Sequence, residues 1–350
     1  MEKALIAMSG GVDSSVAAYL LKEKGHDLTG AMMKLYESAA GSGCCSADDA
    51  QDAREVAARI GMPFYVFNFT GDFAAQVIDR FVAAYQSGAT PNPCIDCNRY
   101  LKFERFLRRA DELGHQLIAT GHYARTAREG SRWLLKKGVD PSKDQSYALY
   151  TMTQAQLART VFPLGELSKA QVREIAAQQG LVTAGKRDSQ DICFAPSGDY
   201  AGFIEGYTGA QALPGPFKDS QGNTLGQHRG IIHYTVGQRK GLGISAAQPL
   251  YVCRVCPQTN TVVLGGQEEL YAKTLTARDV NLIAAERLDG PVSVRAKIRY
   301  NQTEQPARVW QLDDDTLRVE FDQPQRAITK GQAVVLYDGE TIVGGGVIEG

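Results

Sequence analysis

Ser9-Gly10-Gly11-Val12-Asp13-Ser14-Ser15 gathers two glycines, three hydroxyls and one carboxylate in a single short stretch. Glycine lets backbone N–H groups approach an anion closely, and hydroxyls add donors. The apolar run Ala4 to Ala7 ahead of it has the character of a buried strand. Behind it, Val16, Ala17, Leu20 and Leu21 recur at helical spacing and end at Gly25, a residue suited to a helix C-terminus. In such a strand–loop–helix turn, Ser9, Gly10, Gly11 and Ser14 sit where the helix dipole favours negative charge, so the stretch reads as a phosphate cradle. Asp13 would repel phosphates unless Mg²⁺ stood between, which makes it the candidate metal anchor. The stretch has neither the Lys of G-x-x-x-x-G-K-[ST] nor the spacing of G-x-G-x-x-G, so neither common nucleotide signature applies. A plain turn capped by Ser and Asp accounts poorly for four small donors and an acid together.

Thiol chemistry is the second signal. Cys94-Ile95-Asp96-Cys97 follows Pro91-Asn92-Pro93, and Cys193 lies in Asp188-Ser189-Gln190-Asp191-Ile192-Cys193-Phe194. A C-x-x-C on a loop before a helix, with Asn98 as the expected cap, is where thiol pKa values fall. It fits a redox or persulfide pair, an iron–sulfur site, or half a zinc site. Zinc needs a second pair, which Cys253-Arg254-Val255-Cys256 offers. Those two lie in a strand candidate, where they are expected on one face as buried core thiols. Cys44-Cys45 reads as ordinary thiols. In Thr120-Gly121-His122-Tyr123, His122 reads as a packed side chain rather than a base, and Gly121 as a close backbone contact to adenosine. Lys143-Asp144-Gln145-Ser146-Tyr147 taken alone is a solvated turn. Loops His228-Arg229-Gly230 and Gln238-Arg239-Lys240-Gly241-Leu242-Gly243, with Arg295, Lys297, Arg299 and Tyr300, together favour a nucleic-acid backbone.

The elements that must position these residues change character along the chain. At 350 residues, two or three domains are expected, and the 43% apolar content is ample for several cores. The net charge of −1 neither demands nor excludes nucleic acid. No apolar run would cross a bilayer, and the start leads straight into the nucleotide loop without a signal peptide. A cytoplasmic protein with reduced cysteines and no membrane partner is the expectation. Asp27 to Tyr36 reads as a second strand. Ser46-x-x-Asp49 opens a helix with Ala50, Ala53, Val56, Ala57 and Ile60 on its apolar face, closing at Gly61. Phe64–Phe69 is strand, Asp72–Tyr85 helix, Pro91-Asn92-Pro93 loop, Asn98–Gly114 helix and Leu117–Thr120 strand. This alternation predicts an α/β doubly wound parallel sheet with its ligand at the carboxyl ends of the strands. Leu167–Gly180 is a further capped helix. Beyond Pro196 helical periodicity fades near Tyr207, and strands are expected at Ile231–Val236, Leu250–Val255, Thr261–Leu264, Val292–Tyr300, Ala307–Gln311, Leu317–Phe321 and Ala333–Tyr337. The expected domains are 1–195, 196–266 and 267–350, the last two being small β barrels or sandwiches.

The first motif resembles the pyrophosphate loop of ATPases that split ATP into AMP and pyrophosphate. Moreover SGGVDSS, PNPC-x-x-CN followed by LKF, ATGHYAR, KDQSYAL, DSQDICF and TVGQRKGLGI occur in the order found in tRNA-specific 2-thiouridylases. The resemblance spans nearly the whole chain. It implies a pyrophosphate-loop domain, adenine nucleotide α-hydrolase-like in fold, followed by two β domains. The implied activity is adenylation of carbon 2 of the wobble uridine of certain tRNAs, then sulfur transfer giving 2-thiouridine, AMP and pyrophosphate. By resemblance Ala7, Met8, Ser9, Gly10, Gly11, Val12, Asp13, Ser14, Met33 and Gly121 bind ATP with Mg²⁺. Asn92, Pro93 and Cys94 lie beside the target base, while Lys143, Asp144, Gln145, Arg299 and Tyr300 contact tRNA. Cys97 matches the nucleophile and Cys193 the persulfide carrier, a pair that passes through a disulfide. The implied partner besides tRNA is a sulfur-donor protein, a cysteine desulfurase or a sulfur relay.

Cys94 stands where the family pattern has Asp. This leaves two routes open: a persulfide-and-disulfide relay, or Cys94, Cys97 and Cys193 holding three irons of a [4Fe–4S] cluster. Two other functions compete with thiolation. A pyrophosphate-loop synthetase or amidotransferase acting on a small metabolite would not need three separated cysteines. A non-enzymatic tRNA-binding protein would not need Asp13 in its phosphate loop.

Overall fold

The computed structural model describes residues 2–36, 46–186, 192–195 and 198–349. The chain forms two compact units, Met1–Ile78 with Pro93–Ser197 and Glu340–Ile342, and Asp79–Asn92 with Gly198–Gly339 and Val343–Gly350.

In the first unit, β1 (Lys3–Ala7) is flanked in parallel by β2 (Asp27–Lys34) and β4 (Leu117–Ala119). Outside them lie β3 (Phe64–Asn68) and β7 (Thr160–Val161), giving the order β3-β2-β1-β4-β7. Ala4, Leu5 and Ile6 are fully buried, the unbroken apolar run a central strand covered on both faces requires. The chain leaves β1 toward β2 and β3, then returns to the other flank at β4. That reversal opens a crevice at the carboxyl ends of β1 and β4, where α/β sheets take their ligands. Met8-Ser9 and Thr120-Gly121 are the residues that follow those two strands.

Helix α1 (Val12–Glu23) runs on from the loop and α2 (Ala47–Arg59) starts at Ser46 with the expected reciprocal capping by Asp49. Ala53, Val56 and Ala57 join Ile6, Met8, Val16, Leu28 and Met32 in one core, with Ala50 and Ile60 packed against it. The expected helix near Leu167 spans Lys169–Gln178, capped by Ser168 with Gln171, and sends Val172 and Ala176 into that core.

Two regions of the first half differ from the sequence-based reading, one helix and one hairpin that it did not foresee. The helix assigned to begin at Asn98 begins at Pro93, runs as a π-helical stretch over Cys97–Arg105 and ends at Glu112. Proline suits a first helical position, since the N–H it lacks has no partner there. Asn98 is therefore no cap; its Nδ2 donates to the Ala148 carbonyl at 2.9 Å. The C-x-x-C is accordingly inside the first helical turns and not on a preceding loop. Finally, β5 (Ala124–Glu129) and β6 (Arg132–Lys137) form an antiparallel hairpin turning at Gly130, hidden in the sequence by its charged residues.

The second unit begins its β region with the helix Tyr200–Thr208, ended by Gly209 in the left-handed conformation. A four-stranded sheet follows from β8 (Gly215–Lys218), β9 (Thr224–His228), β10 (Tyr251–Cys256) and β11 (Thr261–Gly265), ordered β10-β11-β8-β9. The strand expected over Ile231–Val236 is instead a 3₁₀ turn at Ile231–His233. Gly230 (φ +122°) and Gly237 (φ +90°) break the chain on both sides. Its apolar side chains fill the core without joining a ladder, Tyr234 meeting the Phe217 ring edge-on at 5.1 Å.

Cys253 and Cys256 also differ from expectation. Residues three apart on a regular strand face opposite sides, the register shifts between Val252 and Arg254, and both thiols are half-buried rather than in the core. Burial, with the charges of Glu269 and Glu268, pushes the Cys253 thiol up to about 11, the wrong direction for a zinc thiolate. The barrel comprises β12 (Tyr271–Leu282), β13 (Val292–Lys297), β14 (Gln305–Asp313), β15 (Thr316–Arg326), β16 (Ala333–Asp338) and β17 (Thr341–Ile348). Pairing of β12 with β17 closes it around Leu275, Val294, Val309, Val319, Phe321 and Leu336, which removes exposed strand edges.

Candidate functional site: a nucleotide loop and its thiols

Loop geometry is held by its own hydroxyls. The Ser9 N–H donates to Ser14 Oγ at 3.1 Å, while Ser14 Oγ and Ser15 Oγ both donate to the Gly11 carbonyl. Gly10 has φ +75°, and a Cβ there would overlap the Asp49 carbonyl oxygen and lie 2.8 Å from its carbon. Gly121 comes up against the first turn of α1, where a Cβ would meet Ser14 N at 2.9 Å and Asp13 C at 3.0 Å. The structure thus brings Ala7–Ser14 and Gly121 together. Met33 is buried on β2.

Asp13 is the charged centre of the loop. Lys169 Nζ donates to both of its carboxylate oxygens, at 2.7 and 2.8 Å, and the Tyr123 hydroxyl donates to Oδ1 at 2.7 Å. The sequence reading missed both partners. A signal for Lys169 was present: a lysine at the first position of a helix opposes the helix dipole, so it needs a partner elsewhere. A carboxylate offers about four acceptor sites, so Asp13 keeps capacity beside these bonds and fits the metal anchor expected of it.

The Lys143-Asp144-Gln145 loop is tied to the same tyrosine. The Tyr123 N–H donates to Gln145 Oε1 and the Gln145 N–H to the Tyr123 carbonyl, both at 3.0 Å. Asp144 accepts from the Gly138 and Ser146 N–H groups and the Ser146 hydroxyl, so it shapes the loop. Lys143 is half-buried. In the second unit, Arg299 donates to the Ala327 carbonyl at 2.8 Å and to Thr329 Oγ1 at 2.9 Å, whereas Tyr300 is 38% exposed.

His122 is the packed side chain expected. It pairs with Thr120 Oγ1 at 2.8 Å beside the rings of Phe103 and Phe162. Burial, assisted by the charge of Lys102, pushes its pKa well below 6.5.

Among the thiols, Cys94 is exposed, Cys97 buried and Cys193 half-buried. Pro93 is buried and Asn92 half-buried. The segment of Cys193 is pinned by Phe194, whose ring meets Phe73 at 5.9 Å and Tyr36 at 6.5 Å. Asp188–Asp191 and Cys44-Cys45 lie outside the described residues. Among the described residues, no three His, Cys, Asp or Glu side chains come together to hold a metal. Cys94, Cys97 and Cys193 all belong to the first unit, and Cys253 and Cys256 to the second.

A parallel sheet whose strand-order reversal carries a glycine- and hydroxyl-rich loop with one acid defines a nucleotide-binding α/β protein of the pyrophosphate-loop class. The family described as tRNA methyl transferase HUP domain matches residues 2–197. A tRNA methyl transferase PRC-barrel domain matches 201–266 and an aminomethyltransferase β-barrel domain 272–348. The tRNA-specific 2-thiouridylase MnmA of Clostridioides difficile is 49% identical over 354 residues, covering 99% of this chain and 98% of its own. The enzyme of that name from Lachnoclostridium phytofermentans is 50% identical over 355 residues, covering 99% of each chain. The chain belongs to the tRNA-specific 2-thiouridylase family. Among solved structures, the U34-tRNA thiolase NcsA of Methanococcus maripaludis with its [4Fe-4S] cluster overlaps 59% of this chain and 66% of its own, at 18% identity and a TM-score of 0.37. That overlap is too loose to carry the cluster across.

Proposed function

We propose that this chain is a tRNA-uridine 2-sulfurtransferase that uses ATP to replace the oxygen on carbon 2 of the wobble uridine by sulfur. The observation that carries the reading is the loop itself: an acid held by Lys169 and Tyr123 at the mouth of an anion-binding turn, at the sheet's switch point. Ala7–Ser14, Met33 and Gly121 bind the nucleotide, with loop N–H groups turned to its phosphates. Asp13 would hold Mg²⁺, which supplies neutralisation of phosphate charge. Lys143, Asp144, Gln145, Arg299 and Tyr300 contact the tRNA, and Asn92, Pro93 and Cys94 lie beside the base.

A carbonyl oxygen leaves poorly, so it first attacks the α-phosphorus of ATP, expelling pyrophosphate and becoming part of a good leaving group. A persulfide carried on Cys193, loaded by a cysteine desulfurase or sulfur relay protein, then attacks carbon 2. AMP departs with the original oxygen. Cys97 thiolate next attacks Cys193 Sγ, breaking the bond between the two sulfurs of the former persulfide. This leaves 2-thiouridine and a Cys97–Cys193 disulfide, which a cellular thiol reduces with two electrons. Cys94 contributes a thiol where relatives of the usual pattern place a carboxylate, and no step is routed through an iron–sulfur cluster. We place the protein in the cytoplasm; no described helix is long and apolar enough to cross a membrane. The reading is tested by following labelled ATP with tRNA and a persulfide-loaded donor protein: AMP and pyrophosphate support it, ADP and phosphate overturn it.

A further inference from the structure

Lys186 is a second cation on the nucleotide loop that no motif singled out. Its ammonium donates to the Gly10 carbonyl at 3.0 Å and to Asp49 Oδ1 at 2.8 Å, and it pairs with Asp52. Asp49 thereby works in two directions. One carboxylate oxygen accepts from the Ser46 N–H and hydroxyl to cap α2, and the other holds Lys186. Gly10, in turn, lies so close to the backbone of Asp49 that no side chain fits between them. The residue at the apex of the phosphate turn is therefore clamped from two sides by the first turn of α2 and by Lys186.

We propose that Lys186 is a positioning residue for nucleotide binding, fixing the Gly10 peptide and screening Asp49 and Asp52 from the phosphates. Two carboxylates beside an anion-binding turn oppose its use. With Lys186 in place their net charge falls from −2 to −1, and the Gly10 carbonyl, another electronegative group, is tied back to the cation. Held this way, the loop presents N–H groups rather than oxygens to an anion. Burial works against the ammonium, but the bonds to Asp49 and Asp52 more than offset it and hold its pKa above the ordinary value. The cation is thus present throughout the physiological range.

This inference rests on the loop being the ATP site, and the experiment separates the two. ATP affinity and the kcat and KM of tRNA-dependent AMP release are measured for the wild type, Lys186→Met, Lys186→Arg and Lys186→Met/Asp52→Asn, with Tm as the folding control. Lys186→Met should raise the ATP Kd and KM about tenfold, with kcat within about twofold, because binding rather than the chemical step is impaired. Lys186→Arg should restore most of the affinity, and removing the Asp52 charge should recover part of it. If Lys186→Met stays folded and binds ATP as the wild type does, the positioning role is overturned while the nucleotide reading stands. If Lys186→Met does not fold, a folded Lys186→Met/Asp52→Asn that binds ATP as the wild type does, or Lys186→Arg binding ATP no better than that double variant, overturns it equally. A wild type that binds no ATP overturns the nucleotide reading itself.

Discussion

Replacing Lys169 by Met removes the cation that holds Asp13 while keeping most of the aliphatic stem. The Lys169 side chain is 11% exposed and that of Asp13 32%. Breaking a fully buried pair from one side costs about 3–5 kcal/mol, and an exposed pair is worth about 0–1 kcal/mol. With Asp13 a third open to water and the Tyr123 hydroxyl still bonded to it, the expected loss is about 1–2 kcal/mol. The double variant Asp13→Asn/Lys169→Met has no stranded charge, so it should be no less stable than Lys169→Met alone, with a coupling of about 1 kcal/mol. Urea unfolding of the wild type, both single variants and the double variant measures this directly. The same proteins assayed for AMP release should show Lys169→Met slowed at least tenfold, since Asp13 is then held by the Tyr123 hydroxyl alone. Strictly additive stabilities, or a Lys169→Met protein with wild-type AMP release, would refute the reasoning.

Gly121→Ala should raise the ATP KM about tenfold and cost about 1–3 kcal/mol in urea unfolding, because the new methyl group meets the backbone of Asp13 and Ser14 rather than a yielding side chain. Cys97→Ser and Cys193→Ser should each abolish 2-thiouridine in tRNA while leaving tRNA-dependent pyrophosphate release, the adenylation step, intact, as read by nucleoside mass spectrometry and pyrophosphate assay. For pH, the folded state holds His122 neutral with a pKa well below 6.5, so between the two values the unfolded chain binds more protons. Its stabilising contribution is fully present above pH 6.5 and is lost as the pH falls below it. Urea midpoints should drop from about pH 7 to about pH 5, and His122→Asn should flatten part of that slope.

Local and short-range features were readable from sequence because their physics is local. Gly25, the Ser46–Asp49 box and Ser168 mark helix ends by bonds within a few residues, and the structure places the helix boundaries there. The apolar run Ala4–Ala7 announces a central parallel strand for the same reason. Failures cluster where distant residues decide the outcome. Ile231–Val236 has strand composition, yet glycines on both sides and a core needing Tyr234 as filler exclude it from a ladder. Pro91-Asn92-Pro93 has the composition of a breaker, yet the position of Pro93 makes it a helix starter. At the site, the loop was visible as a motif, but Lys169, Tyr123 and Lys186 lie 156, 110 and 176 residues from their loop partners. No periodicity links such positions; only the fold brings them together.

The central claim is that one chain joins ATP cleavage to sulfur delivery on the wobble uridine. Its most direct test is a single reaction containing the protein, unmodified tRNA, ATP, Mg²⁺ and a persulfide-loaded cysteine desulfurase, with AMP, pyrophosphate and 2-thiouridine counted in the same sample. The account predicts all three in equal amounts and none of them when tRNA is omitted. Formation of ADP and phosphate, or AMP release on tRNA that never yields 2-thiouridine, would contradict it.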